Sequence, residues 1–251
     1  MNQTLAATTL VAIAIILIEI QRLGVGKELF IGALRSFIQL MAIGYVLQFI
    51  FNLERLPYQL LLLLIMVVIA SFTARGRVKG LPGATLISFI SILTGATFTL
   101  GLMLILGLIN TEPNYLIPLG GMVIGNTMNG TALVLMRIVE GMKDKRNQVE
   151  ALLALGAAPR YASSMVLKTS LRAALLPSIN TMKIVGLIQL PGAMTGMMIA
   201  GASPIEATRV QIMVMYMISA SVTTGTMIAS LLSYRACFNK AQQLIIYNRL
   251  I

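Results

Sequence analysis

The sequence predicts an all-α, polytopic membrane protein with about seven transmembrane helices and a polar hairpin between the fifth and the sixth. Three observations support this fold class. Hydrophobic residues make up 57% of the 251 residues, only 11% are charged, and the mean hydropathy is +0.88. The apolar residues fall into runs long enough to cross a bilayer, and the charged residues gather in short intervals between them. This composition leaves too little polar surface for a soluble domain.

Composition also excludes several classes of function. The single cysteine, Cys237, excludes an intramolecular disulfide, and the absence of histidine removes the usual transition-metal ligand clusters. We therefore exclude a zinc or haem enzyme, expect no catalytic residue and leave any metal site undefined. The net charge of +11 lies in short loops between apolar runs, so basic cytoplasmic loops and anionic lipid explain it better than nucleic acid does.

The chain also lacks a phosphate-binding loop for ATP. The G-x4-G-K-[S/T] pattern is absent, since Gly26-Lys27 continues into Glu28, and no interval is polar enough for a soluble nucleotide-binding domain. We therefore expect that this chain cannot hydrolyse ATP alone.

The first four predicted spans are joined by short loops. No basic residue precedes the first span and no small-residue cleavage site follows it, which is typical of a retained helix rather than a signal peptide. The most basic short loop, with Arg75, Arg77 and Lys79, follows the third span. In chain order the four spans are Thr4–Ile20, Leu29–Asn52, Tyr58–Ala74 and Ala84–Ile109.

The fifth span, Leu116–Met136, carries small residues and amides. Gly121 and Gly125 form a GxxxG pair, which lets a neighbouring helix approach closely. Asn126 and Asn129 are amides that need partners or a wet cavity inside a membrane. The sequence leaves two interpretations open for this helix, namely helix packing and a substrate path.

The sixth span is rich in helix breakers and also contains Asn180 and Lys183. Gly192 and Gly196 form a second GxxxG pair there. Lys183 lies on the order of 16 Å along the helix from the last basic residue before it. A lysine facing the path would repel a bare cation and favour an anionic solute, or a metal held by an anionic chelator.

Several methionines lie on the last three spans, the seventh of which is Val210–Leu232. Thioethers hold soft ions such as Cu(I) but are poor ligands for ferric iron or aluminium. Met194, Met197 and Met198 are candidate path residues. The alternative, which we favour, is that these side chains fill gaps between moving helices.

The longest charge-dense interval is residues 137–172, here called the polar hairpin. Apolar residues recur at helical spacing up to Gly156, and Pro159 suits the first turn of a second helix. The pattern predicts a helix, a tight turn and another helix, lying along a membrane surface. On the second helix a stripe spaced by four residues suits phosphate headgroups, and it consists of Arg160, Ser164, Lys168 and Arg172.

The polar hairpin also contains a partial motif. From Glu150 onward the segment EALLALGAAPRYASSMVLKT resembles the EAA loop of ABC-transporter membrane subunits, which docks into the ATPase subunit. Leu152 replaces the second alanine of that motif, and Lys168-Thr169 stands where it has Leu-Pro. From the residues alone, an amphipathic surface hairpin stays an alternative. The resemblance makes the candidate ATPase-coupling residues Glu150, Ala151, Gly156 and Arg160.

Charge distribution predicts the orientation. With the N-terminus outside, the loops after spans one, three and five share one side with the C-terminus. Sixteen of the nineteen Lys and Arg residues lie there, the exceptions being Arg55, Lys183 and Arg209. The positive-inside rule makes this side cytoplasmic, so the polar hairpin is cytoplasmic, as is the C-terminal tail with Lys240 and Arg249.

Over nearly its whole length the chain resembles the FetB family of ABC permeases. The resemblance rests on GMVIGNTMNG at 121–130, EALLALGAAPRYA at 150–162 and the segment at 172–214 that contains LIQLPGAMTGMMIAGASP. It implies the membrane subunit of a bacterial, iron-linked exporter of the inner (plasma) membrane, with plant relatives tied to aluminium tolerance. It further implies one permease domain over 1–251, a homodimer, no cofactor of its own, and ATP and Mg on a separate ATPase.

The implied mechanism moves the Glu150–Gly156 loop as a rigid lever that rotates spans five and six between inward and outward access. Two alternatives stay open. One is a self-sufficient secondary cation transporter, which ATP dependence in vesicles would distinguish. The other is a non-transporting membrane scaffold, which requires the polar residues of spans five and six to serve packing alone.

Overall fold

The computed structural model describes residues 2–51, 55–239 and 241–245. Lys240 and Arg249, which the topology prediction used, lie outside these ranges. The described residues contain no strand, only isolated bridges between Val185 and Gln189 and between Phe238 and Leu244, and this confirms the all-α prediction. The helices are α1 Asn2–Ile20, α2 Gly26–Phe51, α3 Leu56–Arg77, α4 Ala84–Ile105, α5 Pro113–Asp144, α6 Arg146–Ala154, α7 Pro159–Ala162, α8 Ser164–Ile184, α9 Gly192–Ile199 and α10 Pro204–Ala236.

Five stretches of the described helices are long and apolar enough to cross a membrane, so the protein is a multi-pass membrane protein. A shorter apolar stretch, Thr8–Ile20, lies in α1. Two of the five are unusually long, since α5 has 32 residues and α10 has 33. At 1.5 Å per residue each measures about 48–50 Å, well beyond a hydrocarbon core of about 30 Å. The five stretches are Gly26–Val46, Leu56–Arg77, Ala84–Ile105, Pro113–Asp144 and Pro204–Ala236.

The chain divides into two compact units, residues 1–55 and 56–251. In the first, α1 packs against α2. In the second, α10 packs along α4 and α5, α3 packs on both of these, and α8 lies against α5 and α10. The single domain predicted for residues 1–251 stays a prediction.

Small residues let α4, α5 and α10 cross closely. A Cβ added at Gly95 of α4 would lie 2.8 Å from the Ser221 carbonyl oxygen of α10, and one added at Gly130 of α5 would lie 2.8 Å from a methyl group of Val222. A Cβ at Gly225 would collide with Thr127. Backbone therefore lies against backbone at this crossing, as expected for helices that associate without a hydrophobic driving force.

The fifth helix is longer than predicted. Leu116–Met136 was expected to end at the membrane, but α5 continues to Asp144, so the first residues of the polar hairpin belong to it. The extension is stabilised by packing, because Ile138 and Met142 are fully buried in one cluster with Val149 of α6 and Val166 of α8. Lys145 alone separates α5 from α6.

The sixth span is not one helix, which corrects the prediction. Pro177 stays inside α8, and the chain breaks only after Ile184. In the break, Gly186 adopts a φ of 81° and donates its N–H to the Gln189 carbonyl at 2.9 Å. The short α9 follows, and α10 then starts with a capping box in which the Glu206 N–H donates to Ser203 Oγ at 3.2 Å.

Candidate functional site

The polar hairpin has the predicted helix and tight turn, and the predicted second helix is divided at Ser163 into the short α7 and the start of α8. α6 ends in a Schellman motif, because the Gly156 N–H donates to the Leu153 carbonyl at 2.9 Å and the Ala157 N–H to the Leu152 carbonyl at 3.0 Å. The motif needs a left-handed residue after the helix, and Gly156 supplies it with a φ of 85°. Pro159 is then the first residue of α7, as predicted.

The candidate coupling residues lie on the surface of this hairpin. Arg146 Nε donates to Glu150 Oε1 at 2.7 Å, and the Glu150 side chain keeps 42% of its surface exposed. An exposed pair of this kind contributes only about 0.3–0.5 kcal/mol, so it orients the carboxylate without sequestering it. Ala151 and Arg160 are also exposed.

The tip of the polar hairpin carries exposed apolar side chains. Leu155, just before Gly156, is 84% exposed, and Tyr161 on the following turn is 68% exposed. Val149, Leu152 and Leu153 of α6 pack in or against the core instead. Leu155 and Tyr161 thus expose apolar surface on either side of the turn at Gly156.

The two amides of α5 line a cavity of about 260 Å³ between α5, α8 and α10. The Asn126 amide donates to the Met122 carbonyl of its own helix at 2.8 Å. Ser178 and Thr181 of α8 line the opposite wall, and the Ser178 and Ser219 hydroxyls are 3.4 Å apart. The structure thus brings the predicted residues Asn126 and Asn129 together with hydroxyl groups that the sequence analysis did not select.

Arg77 is the residue that sequence reasoning missed most clearly. It was assigned to a basic loop, but α3 continues through it, and its Nη1 donates to Asn129 Oδ1 at 2.8 Å. A positive charge therefore lies beside an amide that lines the cavity. Fifty-two residues separate the partners, which no local pattern reveals.

A second cavity, of about 440 Å³, lies where the α8–α9 break meets α10. Three methionines from three helices line it, namely Met182, Met194 and Met215. Gln211 also lines it and is 6% exposed, and its Oε1 has no hydrogen-bond partner among the described residues. The cavity is therefore mainly apolar, with one unsatisfied acceptor in its wall.

The remaining candidate path residues lie outside the linings of these two cavities. Asn180 and Lys183 are exposed near the end of α8, while Met197 and Met198 are partly buried on α9. Across the ranges 2–51, 55–239 and 241–245 no group of three or more His, Cys, Asp or Glu side chains could hold a metal ion.

The glycine pairs make few contacts within one chain. A Cβ added at Gly121 would meet the Met66 methyl carbon at 3.2 Å. At Gly125, Gly192 and Gly196 an added Cβ would meet no described atom within 4 Å. Their proposed role in helix packing stays a prediction, which a second copy of the chain would have to fulfil.

Comparison with known proteins places this arrangement in a family. The family described as "Uncharacterised protein family (UPF0014)" matches residues 1–238. The chain is 41% identical over 244 residues to the UPF0014 membrane protein STAR2 of Oryza sativa subsp. japonica, covering 97% of this chain and 86% of that protein. It is 41% identical over 239 residues to Protein ALUMINUM SENSITIVE 3 of Arabidopsis thaliana, covering 95% of this chain and 88% of that protein.

A bacterial relative is similar over almost the same length. The chain is 36% identical over 246 residues to the probable iron export permease protein FetB of Escherichia coli (strain K12), covering 98% of this chain and 95% of that protein. No solved structure gives a significant match. The sequence resemblance to FetB and its plant relatives is confirmed, and the chain belongs to the UPF0014 family of membrane proteins.

Proposed function

We propose that this chain is the membrane-spanning permease subunit of an ATP-driven ABC exporter for a metal, iron in the first instance, or for a metal complex. Its ATPase is a separate chain that binds ATP and Mg and docks at the Glu150–Gly156 loop. The names of the relatives support transport of this kind, since one is a probable iron export permease and another is named for aluminium sensitivity. The chain itself has no catalytic role in this proposal.

The observation that carries the proposal is the apolar tip of the polar hairpin. Leu155 and Tyr161 are exposed on a hairpin whose turn is fixed by the left-handed Gly156 and whose base is packed into the core through Val149. A rigid base and an apolar tip suit a contact that must transmit motion. α6 also continues α5 with one residue between them, so a displaced tip moves the helix that carries Asn126 and Asn129.

We further propose a homodimer in the inner (plasma) membrane, with the N-terminus outside and the C-terminus in the cytoplasm. The positive-inside rule supports this orientation, because the basic residues of the polar hairpin and of the α3 end belong to one side. Exposed apolar residues at the α8–α9 break, such as Leu187 and Ile188, are available to lipid or to a second copy.

Within this permease the cavities are the proposed substrate route. Arg77 beside Asn129 adds a positive charge to the amide and hydroxyl groups there, which favours an anionic or complexed metal over a bare cation. The prediction based on Lys183 points to the same substrate class, but Lys183 lies outside both cavity linings and contributes only where a second copy of the chain extends the route past it. Lys183→Gln is expected to impair stimulation of ATP hydrolysis by a metal–citrate complex more than Met197→Leu does. Stimulation by a free metal ion that survives Lys183→Gln and is abolished by Met-to-Leu changes would support a thioether path instead.

The coupling assignment is tested by Glu150→Lys. The purified permease is mixed with each candidate ABC ATPase subunit from its host, and complex yield and ATP-driven transport in proteoliposomes are measured. Because Glu150 is half-exposed and its ion pair is weak, folding should survive while docking fails, with about a tenfold or larger loss of affinity. Glu140→Lys is the matched control, since Glu140 forms a similar surface pair with Arg137 at 3.2 Å on α5.

Two outcomes would contradict the proposal. Normal complex yield and normal transport in Glu150→Lys would remove Glu150 from the coupling surface. Equal losses in Glu150→Lys and Glu140→Lys would show a general effect of added charge rather than a docking site.

One structural feature favours the alternative of a self-sufficient secondary cation transporter. Interrupted helices are where such transporters bind substrate and coupling ions, and the α8–α9 break beside the methionine cavity has this form. Transport in vesicles without nucleotide, driven by an imposed ion gradient, would establish this function. Strict dependence on ATP and on the second subunit would exclude it.

A further inference from the structure

After α10 the described residues 237–239 and 241–245 form a small hairpin, here called the C-terminal hairpin. Its two arms are joined by backbone hydrogen bonds, since the Ile245 N–H donates to the Cys237 carbonyl at 3.0 Å and the Asn239 N–H to the Gln243 carbonyl at 2.9 Å. The Asn239 side chain closes the turn, because its Oδ1 accepts the Gln243 N–H at 2.8 Å and its Nδ2 donates to Gln243 Oε1 at 2.9 Å. The segment is therefore an ordered element that follows α10 directly.

The C-terminal hairpin is anchored to the same core as the coupling helix α6. Leu244 is 7% exposed and Cys237 is fully buried, and both belong to the cluster that contains Val149 of α6. The Cys237 thiol donates to the Ser233 carbonyl of α10 at 3.0 Å. One cluster thus fixes the ends of two long helices, α5 through α6 and α10 through the C-terminal hairpin.

Between the C-terminal hairpin and α6 lies a cleft of about 610 Å³. Glu150 and Leu153 form its α6 side, and Glu150 is the one charged residue among the described residues that line it. The facing wall offers amide donors and acceptors from Asn239 and Gln242 and apolar surface from Ile245. This chemistry suits a protein segment that presents a basic side chain flanked by apolar ones.

We propose that this cleft is a second part of the docking surface for the ATPase subunit, so that the coupling contact is shared by α6 and the C-terminal hairpin. The inference rests on the proposed function and extends it. Continuity with the proposed coupling loop supports this occupant, because Glu150, which accepts a hydrogen bond from Arg146 and stays half-exposed, belongs both to that loop and to the cleft. A segment of the ATPase that binds in the cleft would contact α6, which continues α5, and the C-terminal hairpin, which continues α10. Movement of that segment would therefore displace both long helices together.

The test uses the full-length permease and the ATPase subunit that forms a complex with it. Ala241 is exposed and lines the cleft, so Ala241→Trp fills the space without touching the buried cluster. The expected result is about a tenfold or larger rise in the Kd for the ATPase. Gln148→Trp is the matched control, because Gln148 is an exposed residue of α6 that does not line the cleft.

A second variant tests the anchoring of the C-terminal hairpin. Leu244→Ala removes a buried side chain that attaches it to the core, so the C-terminal hairpin should open more often. Alkylation of Cys237 by a maleimide should become about tenfold faster, and ATPase affinity should fall in parallel. Cys237 labelling that stays slow in Ala241→Trp shows that this variant keeps the C-terminal hairpin closed.

The outcomes separate this inference from the proposed function. If Glu150→Lys loses the ATPase while Ala241→Trp and Leu244→Ala bind it normally, the cleft is not part of the docking surface, although the coupling loop is. If all three bind normally, the coupling assignment itself fails. If removal of residues 246–251 tightens ATPase binding, the cleft is occupied by the chain's own terminus, and the proposal is overturned. Loss of binding in Gln148→Trp alone would place docking on the opposite face of α6.

Discussion

Glycine serves two different purposes in the bundle interior and in the turns that surround it. At the crossing of α4, α5 and α10, an added Cβ at Gly95 or Gly130 would lie within 3.0 Å of another helix. At the turns, Gly156 and Gly186 have φ values of 85° and 81°, and an added Cβ would meet no described atom within 4 Å. The interior glycines provide space, whereas the turn glycines provide a backbone conformation.

The difference separates the rigid part of the molecule from the parts that can move. Where two backbones are in contact, neither helix can shift without a clash, because the neighbouring atom at Gly95 is a carbonyl oxygen that cannot rotate away. Where a glycine only sets φ, the space around it is free. We therefore expect α4 and α10 to move as one body, and the α8–α9 break to carry the conformational change.

The largest expected effect on the free energy of unfolding is at the crossing of α4, α5 and α10. Gly95→Ala should lower the free energy of unfolding by about 2–3 kcal/mol, because the new methyl group meets the Ser221 carbonyl oxygen at 2.8 Å and the Gly225 nitrogen at 3.3 Å. Gly101→Ala, on the same helix with open space, should raise it by about 0.5–1 kcal/mol. Thermal unfolding in detergent measures both variants. Equal stability of the two variants would show that the crossing has room for an added methyl group.

A smaller effect is expected where Arg77 joins the end of α3 to α5. Arg77→Gln or Asn129→Ala removes a hydrogen bond with a charged donor and should cost about 1–2 kcal/mol of stability. The double variant should cost little more than either single one, and the double-mutant cycle should give a coupling energy of about 1 kcal/mol. Strictly additive costs would mean that the two side chains do not depend on each other in the membrane.

The turn glycines should respond to backbone conformation alone. Gly156→Ala should cost about 1 kcal/mol, because a residue with a Cβ is disfavoured at a φ of 85°. Gly156→Asn should cost less, since asparagine tolerates left-handed conformations. Unfolding measurements would check this ranking, and ATPase affinity would be followed in the same variants. A larger cost for asparagine than for alanine would indicate that space, not φ, is limiting there.

The smallest expected effect on stability at neutral pH concerns Cys237, which belongs to the buried cluster and lies outside the membrane-spanning helices. Burial raises the pKa of its thiol to about 12 from an ordinary value of 9.0. The folded state therefore holds the proton more tightly than the unfolded state, and stability should be unaffected below pH 9 and should fall as the pH rises from about 9 towards 12. Cys237→Ala should flatten this part of the stability profile. An unchanged slope would mean that other groups cause it.

Local features of the chain were the ones that could be predicted from sequence. The turn at Gly156 and the start of α7 at Pro159 follow from backbone preferences of single residues, and the structure has both. The position of the break in the sixth span did not follow, because Pro177 removes one helical hydrogen bond and α8 tolerates the loss. The chain turns later, at Gly186, which has a φ of 81°.

Contacts between distant segments account for what was missed at the candidate site. Asn126 and Asn129 were selected because amides in a membrane need partners, but the partner of Asn129 is on α3. Likewise, the GxxxG pattern pointed to Gly125 and Gly192, whereas the closest approaches are at Gly95 and other glycines outside those pairs. A spacing rule identifies residues that could pack, and only the tertiary structure shows which ones do.

The single-residue junction at Lys145 limits where residues can be inserted into this part of the chain. Lys145 is at once the last cap of α5 and the first of α6, so no flexible linker absorbs a change in register between them. One residue inserted between Asn129 and Lys145 would turn the polar hairpin by about 100° around the α5 axis and advance it by about 1.5 Å. Point substitutions on the exposed face of this segment leave that angle unchanged. We therefore expect the number of residues between Asn129 and Glu150 to matter more than their identities, because an insertion here would misalign the proposed coupling surface.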